Sequence, residues 1–253
     1  MDLGLTDRAY IVTGASSGLG RATAEQLLAE GARLLVCSRD VTHLEELAAM
    51  ADPGSIMVLP GDLADPELPE RLVAAAMARF GRLDGALISV GGPPAGTSDE
   101  ITDEQWRAAF ETVFLGPVRL ARAVSDAASV EGCSIAFVLS TSVRSPIPGL
   151  ATSNGLRPGL AMLAKTMADE GGPRAIRVNA LLPGRIDTER VRHLDELGGD
   201  PEAARRDAEA AIPLRRYGRP DEFGRVATFV LSPAGSYITG TVIPVDGGVT
   251  RSL

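Results

Sequence analysis

Cysteine is nearly absent from this 253-residue chain: there are two, Cys37 and Cys133. Both lie in apolar, strand-like runs, which argues against a disulfide scaffold and reads as reduced core thiols rather than nucleophiles. Cationic residues are outnumbered, 25 Lys and Arg against 33 Asp and Glu, for a net charge of −8. No basic run is available to follow a phosphate backbone, so nucleic acid is not an expected partner. No apolar run reaches the ~20 residues a membrane-spanning helix needs. The N-terminus also lacks the basic-then-apolar pattern of a secretory signal. A cytoplasmic protein without membrane or metal partners is the expectation. Aromatics make up 4% of the chain, so the core has to be aliphatic, which an apolar content of 45% permits. The length suits one large α/β domain or two small ones.

The most informative stretch that is present runs from residue 8 to residue 30. An apolar run, 8–13, precedes Gly14-Ala-Ser-Ser-Gly18-Leu-Gly20, and an Ala/Leu-rich segment, 21–30, follows. Strand, glycine loop and helix are predicted in that order. The glycines permit a tight turn and close approach of a ligand. The helix N-terminus offers free N–H groups and a partial positive charge to a diphosphate, with the hydroxyls of Thr13, Ser16 and Ser17 and the backbone of Leu19 at the same edge. Beyond it, strands are predicted at 32–37, 56–59, 83–90, 134–139, 176–182 and 241–245. Helices are predicted between them at 41–50, 65–80, 102–127, 153–169 and 220–231, the third from a Thr102…Gln105 capping box and the second with Asp65 as N-cap. Two short helices are expected within 185–219, the longest insertion and the natural lid. This alternation over the whole length predicts one doubly wound, Rossmann-like α/β domain: a parallel sheet of about seven strands with helices on both faces.

With those residues in view, the chain resembles the short-chain dehydrogenase/reductase family, in particular its carrier-protein ketoacyl reductase branch. Thr13-Gly14-x3-Gly18-x-Gly20 is similar to that family's cofactor loop. Gly61-Asp62-Leu63 resembles its adenine contact, and Pro183-Gly184-Arg-Ile186-Asp-Thr188 the segment that holds the nicotinamide carboxamide. Tyr237-Ile-Thr-Gly240 and Val245-Asp-Gly-Gly248 are similar to its C-terminal signature. The resemblance implies a nicotinamide dinucleotide cofactor, hydride transfer on a carbonyl or alcohol, and a homotetramer or homodimer in which the helices at 102–127 and 153–169 pair. The coenzyme choice follows from the end of the second strand, where Ser38 stands at the place of a 2′-OH-binding acid. Arg39 beside it can grip a 2′-phosphate in a fork, which favours NADP(H) over NAD(H), unless that charge is merely solvated. Asp40 next door is equally placed to cap the following helix.

What the chain lacks most tellingly is the family's Tyr-x-x-x-Lys. Ser153 stands at the Tyr position, Arg157 at the Lys position and Val113 at that of the long-helix Asn; Ser140 matches the family Ser, with Ser142 as a close competitor. A serine is a far weaker and shorter proton donor than tyrosine. Arg157 stays charged and cannot relay a proton, although it can hold ribose hydroxyls and stabilise an anion. Pro117 has no N–H for the Val113 carbonyl, so a water site there could survive the loss of the Asn side chain. Gly91-Gly-Pro-Pro94 is read as a stiff wall where nicotinamide and substrate meet. His193, His43, Arg144 and Asn154 are weaker candidates. Two readings stay open: an NADP(H)-dependent oxidoreductase with a non-standard catalytic set, or a nucleotide-binding protein of little turnover that serves as sensor or partner subunit.

Overall fold

Three strands are apolar on both faces, which only the middle of a covered sheet can accommodate. In the computed structural model, which describes residues 1–197 and 199–252, these are β1 (Ala9–Thr13), β4 (Gly85–Ile88) and β5 (Cys133–Val138), buried at every residue. Around them stand β2 (Arg33–Cys37), β3 (Ile56–Val58), β6 (Ile176–Pro183) and β7 (Val242–Val245). The order is β3-β2-β1-β4-β5-β6-β7, with every neighbouring pair parallel. The chain reverses direction of build between β1 and β4, and a crevice for a ligand opens outside the carboxyl ends at such a switch point.

Among the described residues, nine α-helices cover the sheet: α1 (Gly18–Ala29), α2 (Val41–Ala49), α3 (Leu68–Phe80), α4 (Asp103–Ala109), α5 (Gly116–Asp126), α6 (Ala151–Gly171), α7 (Glu189–Glu196), α8 (Pro201–Ala211) and α9 (Pro220–Leu231). Leu27, Leu44, Phe223 and Val230 pack one face against Val12 and Leu34. Leu72, Leu120, Leu160 and Ala164 pack the other against Ile11 and Ile135. None of the described helices is long and apolar enough to cross a membrane. Cys37 and Cys133 sit on strands three spacings apart, roughly 14 Å at about 4.8 Å per step, too far for a disulfide. Burial pushes both thiols up to about 12, so neither is a thiolate at neutral pH.

Two local readings need correction. The second predicted helix starts at Leu68, not after Asp65: the Asp65 carboxylate accepts the Glu67 N–H at 2.9 Å in a separate turn, and a second proline, Pro69, fills the first helical turn. The 102–127 helix opens on the expected capping box, with both Thr102 and Gln105 bonds made, but is not α throughout. Phe110–Leu115 is π-helical, and the Gly116 N–H donates to the Glu111 carbonyl, five residues back. Pro117 supplies the cause, since it has no N–H for Val113 and its ring crowds that carbonyl; a wider turn relieves the crowding.

Three side chains of the sheet hold the end of α9: Tyr10 Oη donates to the Leu231 carbonyl at 3.3 Å, Ser134 Oγ to that of Val230 at 3.2 Å, and Arg177 supplies the charged donor. Arg177 Nη1 donates to the carbonyls of Val230 and Ile238, and Nη2 to those of Leu231 and Ser232, at 2.9–3.3 Å. A helix C-terminus leaves such carbonyls without partners. Arg177→Leu is therefore expected to lower stability by about 3 kcal/mol. Denaturant unfolding measures this, and a loss under about 1 kcal/mol would show that Tyr10, Ser134 and water satisfy these carbonyls without the guanidinium.

Candidate functional site

The loop between β1 and α1 is shaped by glycine. Gly14 and Gly18 lie at φ +62° and +56°, in the left-handed region that side chains avoid. Ser17 is the N-cap of α1, yet its side chain makes no capping bond and the first turn holds no acid. The helix thus presents uncapped N–H groups, which fits a diphosphate. Ser16, Ser17 and Gly18 line an open cleft of about 430 Å³ with Arg21, Thr188 and Arg192. Leu19 packs partly buried against the core. The Thr13 hydroxyl is turned inward: it donates to the Ser89 carbonyl at 2.7 Å and accepts the Ser89 N–H at 2.9 Å. It positions the ends of β1 and β4 from behind the loop.

At the opposite end of the crevice, the Ser38 hydroxyl is bonded to the backbone of Asp40. The Asp40 carboxylate caps α2 through the His43 N–H and holds the His43 ring at 2.7 Å, a contact that lowers the Asp40 carboxyl and raises the imidazole. No acid at the tip of β2 is thereby left facing the crevice from this turn. Arg39 is exposed, 3.7 Å from the Asp62 carboxylate, and its Nη2 lies near Gly91. Asp62 also accepts the Ala64 N–H, and Leu63 is buried beneath it.

The hydroxyls at the end of β5 separate. Ser140 Oγ caps the short turn Thr141–Val143 by accepting the Ser142 N–H. It is Ser142 Oγ that lies 3.1 Å from Ser153 Oγ, both residues buried. Of the two candidate serines it is thus Ser142, not Ser140, that meets Ser153, because the turn rotates one hydroxyl onto its own backbone and the other onto α6. Four residues after Ser153, Arg157 is 6% exposed and its Nη1 donates to the Val138 carbonyl at 2.9 Å. No carboxylate among the described residues pairs with it. Burial, with a smaller contribution from the like charge of Arg190, lowers it to about 10, so it remains a cation at neutral pH. Asn154 makes two bonds to the backbone of Ile147 and staples the 144–149 loop. Val113 is buried on the π-helical segment.

The 185–219 segment is pinned at its base by the Ile186–Gly218 bridge, and Gly184 N–H donates to Val245 at the end of β7 beside Pro183. Thr188 caps α7 and its methyl faces Gly18 across the loop. The segment is built on a buried acid that the sequence did not single out. Asp195 takes an Arg185 guanidinium on one oxygen and the Tyr217 hydroxyl on the other, and Arg205 stacks on the Tyr217 ring at 4.5 Å. Burial and Asp195 push Tyr217 up to about 12. Arg190 was missed too, since nothing distinguishes it in a segment rich in arginine. Its Nη2 donates to the Pro93 carbonyl at 2.9 Å, while Thr152 Oγ1 donates to that of Pro94. His193 is exposed on the outer side of α7, 3.8 Å from Glu196. His43 belongs to the Asp40 cap.

The comparisons with known proteins agree with this geometry. Residues 14–250 match the family model described as enoyl-(acyl carrier protein) reductase. The chain is 33% identical to levodione reductase of Leifsonia aquatica, over 96% of this chain and 94% of that one. It is 30% identical to 3-oxoacyl-(acyl-carrier-protein) reductase FabG of Thermotoga maritima, over 97% and 98%. The crystal structure of L-sorbose reductase from Gluconobacter frateurii, complexed with NADPH and L-sorbose, superposes with a TM-score of 0.93 at 30% identity, covering 100% of both chains. A glycine loop on β1, a seven-stranded parallel sheet and matches of this extent lead to one assignment: the chain belongs to the short-chain dehydrogenase/reductase family of oxidoreductases.

Proposed function

We propose that the chain is an NADP(H)-dependent oxidoreductase acting on a small or medium carbonyl or alcohol, with a serine pair and an arginine in place of Tyr and Lys. The observation that carries this reading is the 3.1 Å Ser142–Ser153 contact beside a buried guanidinium at the carboxyl edge of β5. The glycine loop and the uncapped start of α1 would seat the diphosphate, with Thr188 closing over it and Gly91, Pro183, Gly184 and Ile186 along the nicotinamide half. A bound nicotinamide supplies the hydride that adds to the carbonyl carbon. The chain's own task is the oxygen. Ser142 and Ser153 donate hydrogen bonds to it, and Arg157 stabilises the negative charge that develops there. The alcohol's proton passes from a serine hydroxyl, which regains one from water. The Val113 carbonyl, deprived of an α-helical donor by Pro117, is the proposed seat of that water.

Support for NADP(H) comes from Arg39, whose exposed guanidinium is held, among the described residues, only by Asp62 at 3.7 Å, and from Asp40, whose carboxylate is engaged by His43. The L-sorbose reductase and the actinorhodin polyketide ketoreductase, two solved relatives, were crystallised with NADPH. We also propose assembly into a homotetramer or homodimer through the outer faces of α4–α5 and α6, where Phe110 and Met162 are exposed.

The test is NADPH oxidation, followed by absorbance, over a panel of ketones, diketones and acyl thioesters, alongside NADPH binding. Ser142→Ala is expected to lower kcat about 10- to 100-fold, and Ser140→Ala less than about threefold. The reverse ranking would return the role to Ser140. NADPH binding without oxidation by any panel member would leave the alternative of a nucleotide-binding protein without turnover.

A further inference from the structure

We infer that Arg157 and Arg190 form a seat for an anionic group, and that the carbonyl substrate carries a carboxylate next to its reacting centre. The inference rests on the oxidoreductase reading above and names the substrate class of the same site. Arg190 reaches back from α7 to the wall at the end of β4. Its guanidinium lies so close to Gly92 that an added Cβ would meet Nε at 2.5 Å, and its Nη2 holds the Pro93 carbonyl. The next carbonyl, that of Pro94, is held by Thr152, which directly precedes Ser153. One Pro-Pro wall therefore bridges the lid cation to the helix that bears the hydroxyl pair and Arg157.

Neither guanidinium has a counter-charge. No carboxylate among the described residues lies within ion-pair distance of Arg157 or Arg190, whereas Arg185, Arg192 and Arg205 of the same lid all hold acids. Each of the two gives a hydrogen bond to a single backbone carbonyl and keeps further N–H donors. Burying one unpaired cation is unfavourable, and bringing a second beside it is more so. A carboxylate bound between them removes both penalties and matches the planar fork of a guanidinium. The coenzyme's own anions are provided for elsewhere: the diphosphate by the α1 N-terminus, and a 2′-phosphate by Arg39 at the far end of the crevice.

The experiment compares kcat/KM for 2-oxo-4-phenylbutyrate and 2-oxobutyrate with that for their methyl esters, in the wild type, Arg190→Gln and Arg190→Lys, and measures the Kd of NADPH in each. The wild type is expected to prefer an acid over its ester by about tenfold or more. Arg190→Gln should erase most of that ratio and Arg190→Lys restore part of it, with the NADPH Kd moving less than about threefold. Equal use of acids and esters, unchanged by Arg190→Gln, overturns the inference while leaving the oxidoreductase reading intact. An NADPH Kd raised about tenfold or more by Arg190→Gln, with the acid-to-ester ratio unchanged, assigns the pair to the coenzyme diphosphate and also overturns it. If no carbonyl is turned over, calorimetry of the same acids on the NADP+-loaded protein decides: binding lost in Arg190→Gln supports the anion seat although the catalytic reading has failed, and no binding sinks both.

Discussion

Replacing Arg157 by Met is expected to move activity and stability in opposite directions. The guanidinium is 6% exposed, lacks an acidic partner among the described residues, and is lowered by burial from its ordinary 12.5 to about 10. That lowering corresponds to roughly 3 kcal/mol against the charged form in the folded state. The sign follows from the two pKa values. With the folded value below the unfolded one, the penalty is fully present at pH 7 and fades only above about pH 10. Methionine fills a similar volume without a charge, while the Val138 carbonyl loses one donor, worth about 1–2 kcal/mol. Arg157→Met should therefore be as stable as the wild type or up to about 2 kcal/mol more so. Catalysis should fall by about two to three orders of magnitude, because in the proposed reaction the cation stabilises the oxygen on which charge develops. Thermal unfolding and kcat on the best panel substrate test both halves. A variant that melts well below the wild type, or one that keeps its kcat, contradicts the role given to Arg157.

Gly20→Ala is the second large effect. A Cβ at residue 20 would stand 2.2 Å from the Gly14 carbonyl oxygen, 2.7 Å from its carbon and 3.0 Å from the Thr13 carbonyl oxygen. All three are backbone atoms, at the end of β1 and the start of the glycine loop, so no side chain can yield, and α1 has to lift from β1. Such a displacement costs on the order of 4 kcal/mol and disperses the N–H groups that would hold a diphosphate. NADPH affinity should fall by more than about 100-fold even in the fraction that folds, as read by fluorescence titration at low temperature. By contrast, Gly172→Ala, where a Cβ meets nothing within 4 Å, should be nearly neutral. Normal coenzyme binding by Gly20→Ala would mean that the loop is looser than its close packing indicates.

Most of the scaffold was legible because its signals are short-ranged. Strand runs, the Thr102–Gln105 box, the Asp40 cap and the glycine spacing all act within about four residues, the range over which backbone periodicity and capping operate. The same locality made the absence of any Tyr-x-x-x-Lys visible at once. Where two local solutions competed, as with Pro66 and Pro69 at the start of α3, the wrong one was chosen. The π-helical segment before Pro117 lay beyond such rules, since the proline signals a break but not the form that the break takes.

The chain's own text determined a parallel α/β sheet, a glycine loop after its first strand and the absence of any Tyr-x-x-x-Lys, because each of these is written in neighbouring residues. Only the tertiary structure decided which hydroxyl meets Ser153 and which cation reaches the wall at the end of β4. Ser142 and Ser153 are 11 residues apart, and Arg190 and Pro93 are 97. Contacts over such separations depend on how a short turn rotates and how the 185–219 segment folds back onto the sheet, and those are set by packing across the whole molecule.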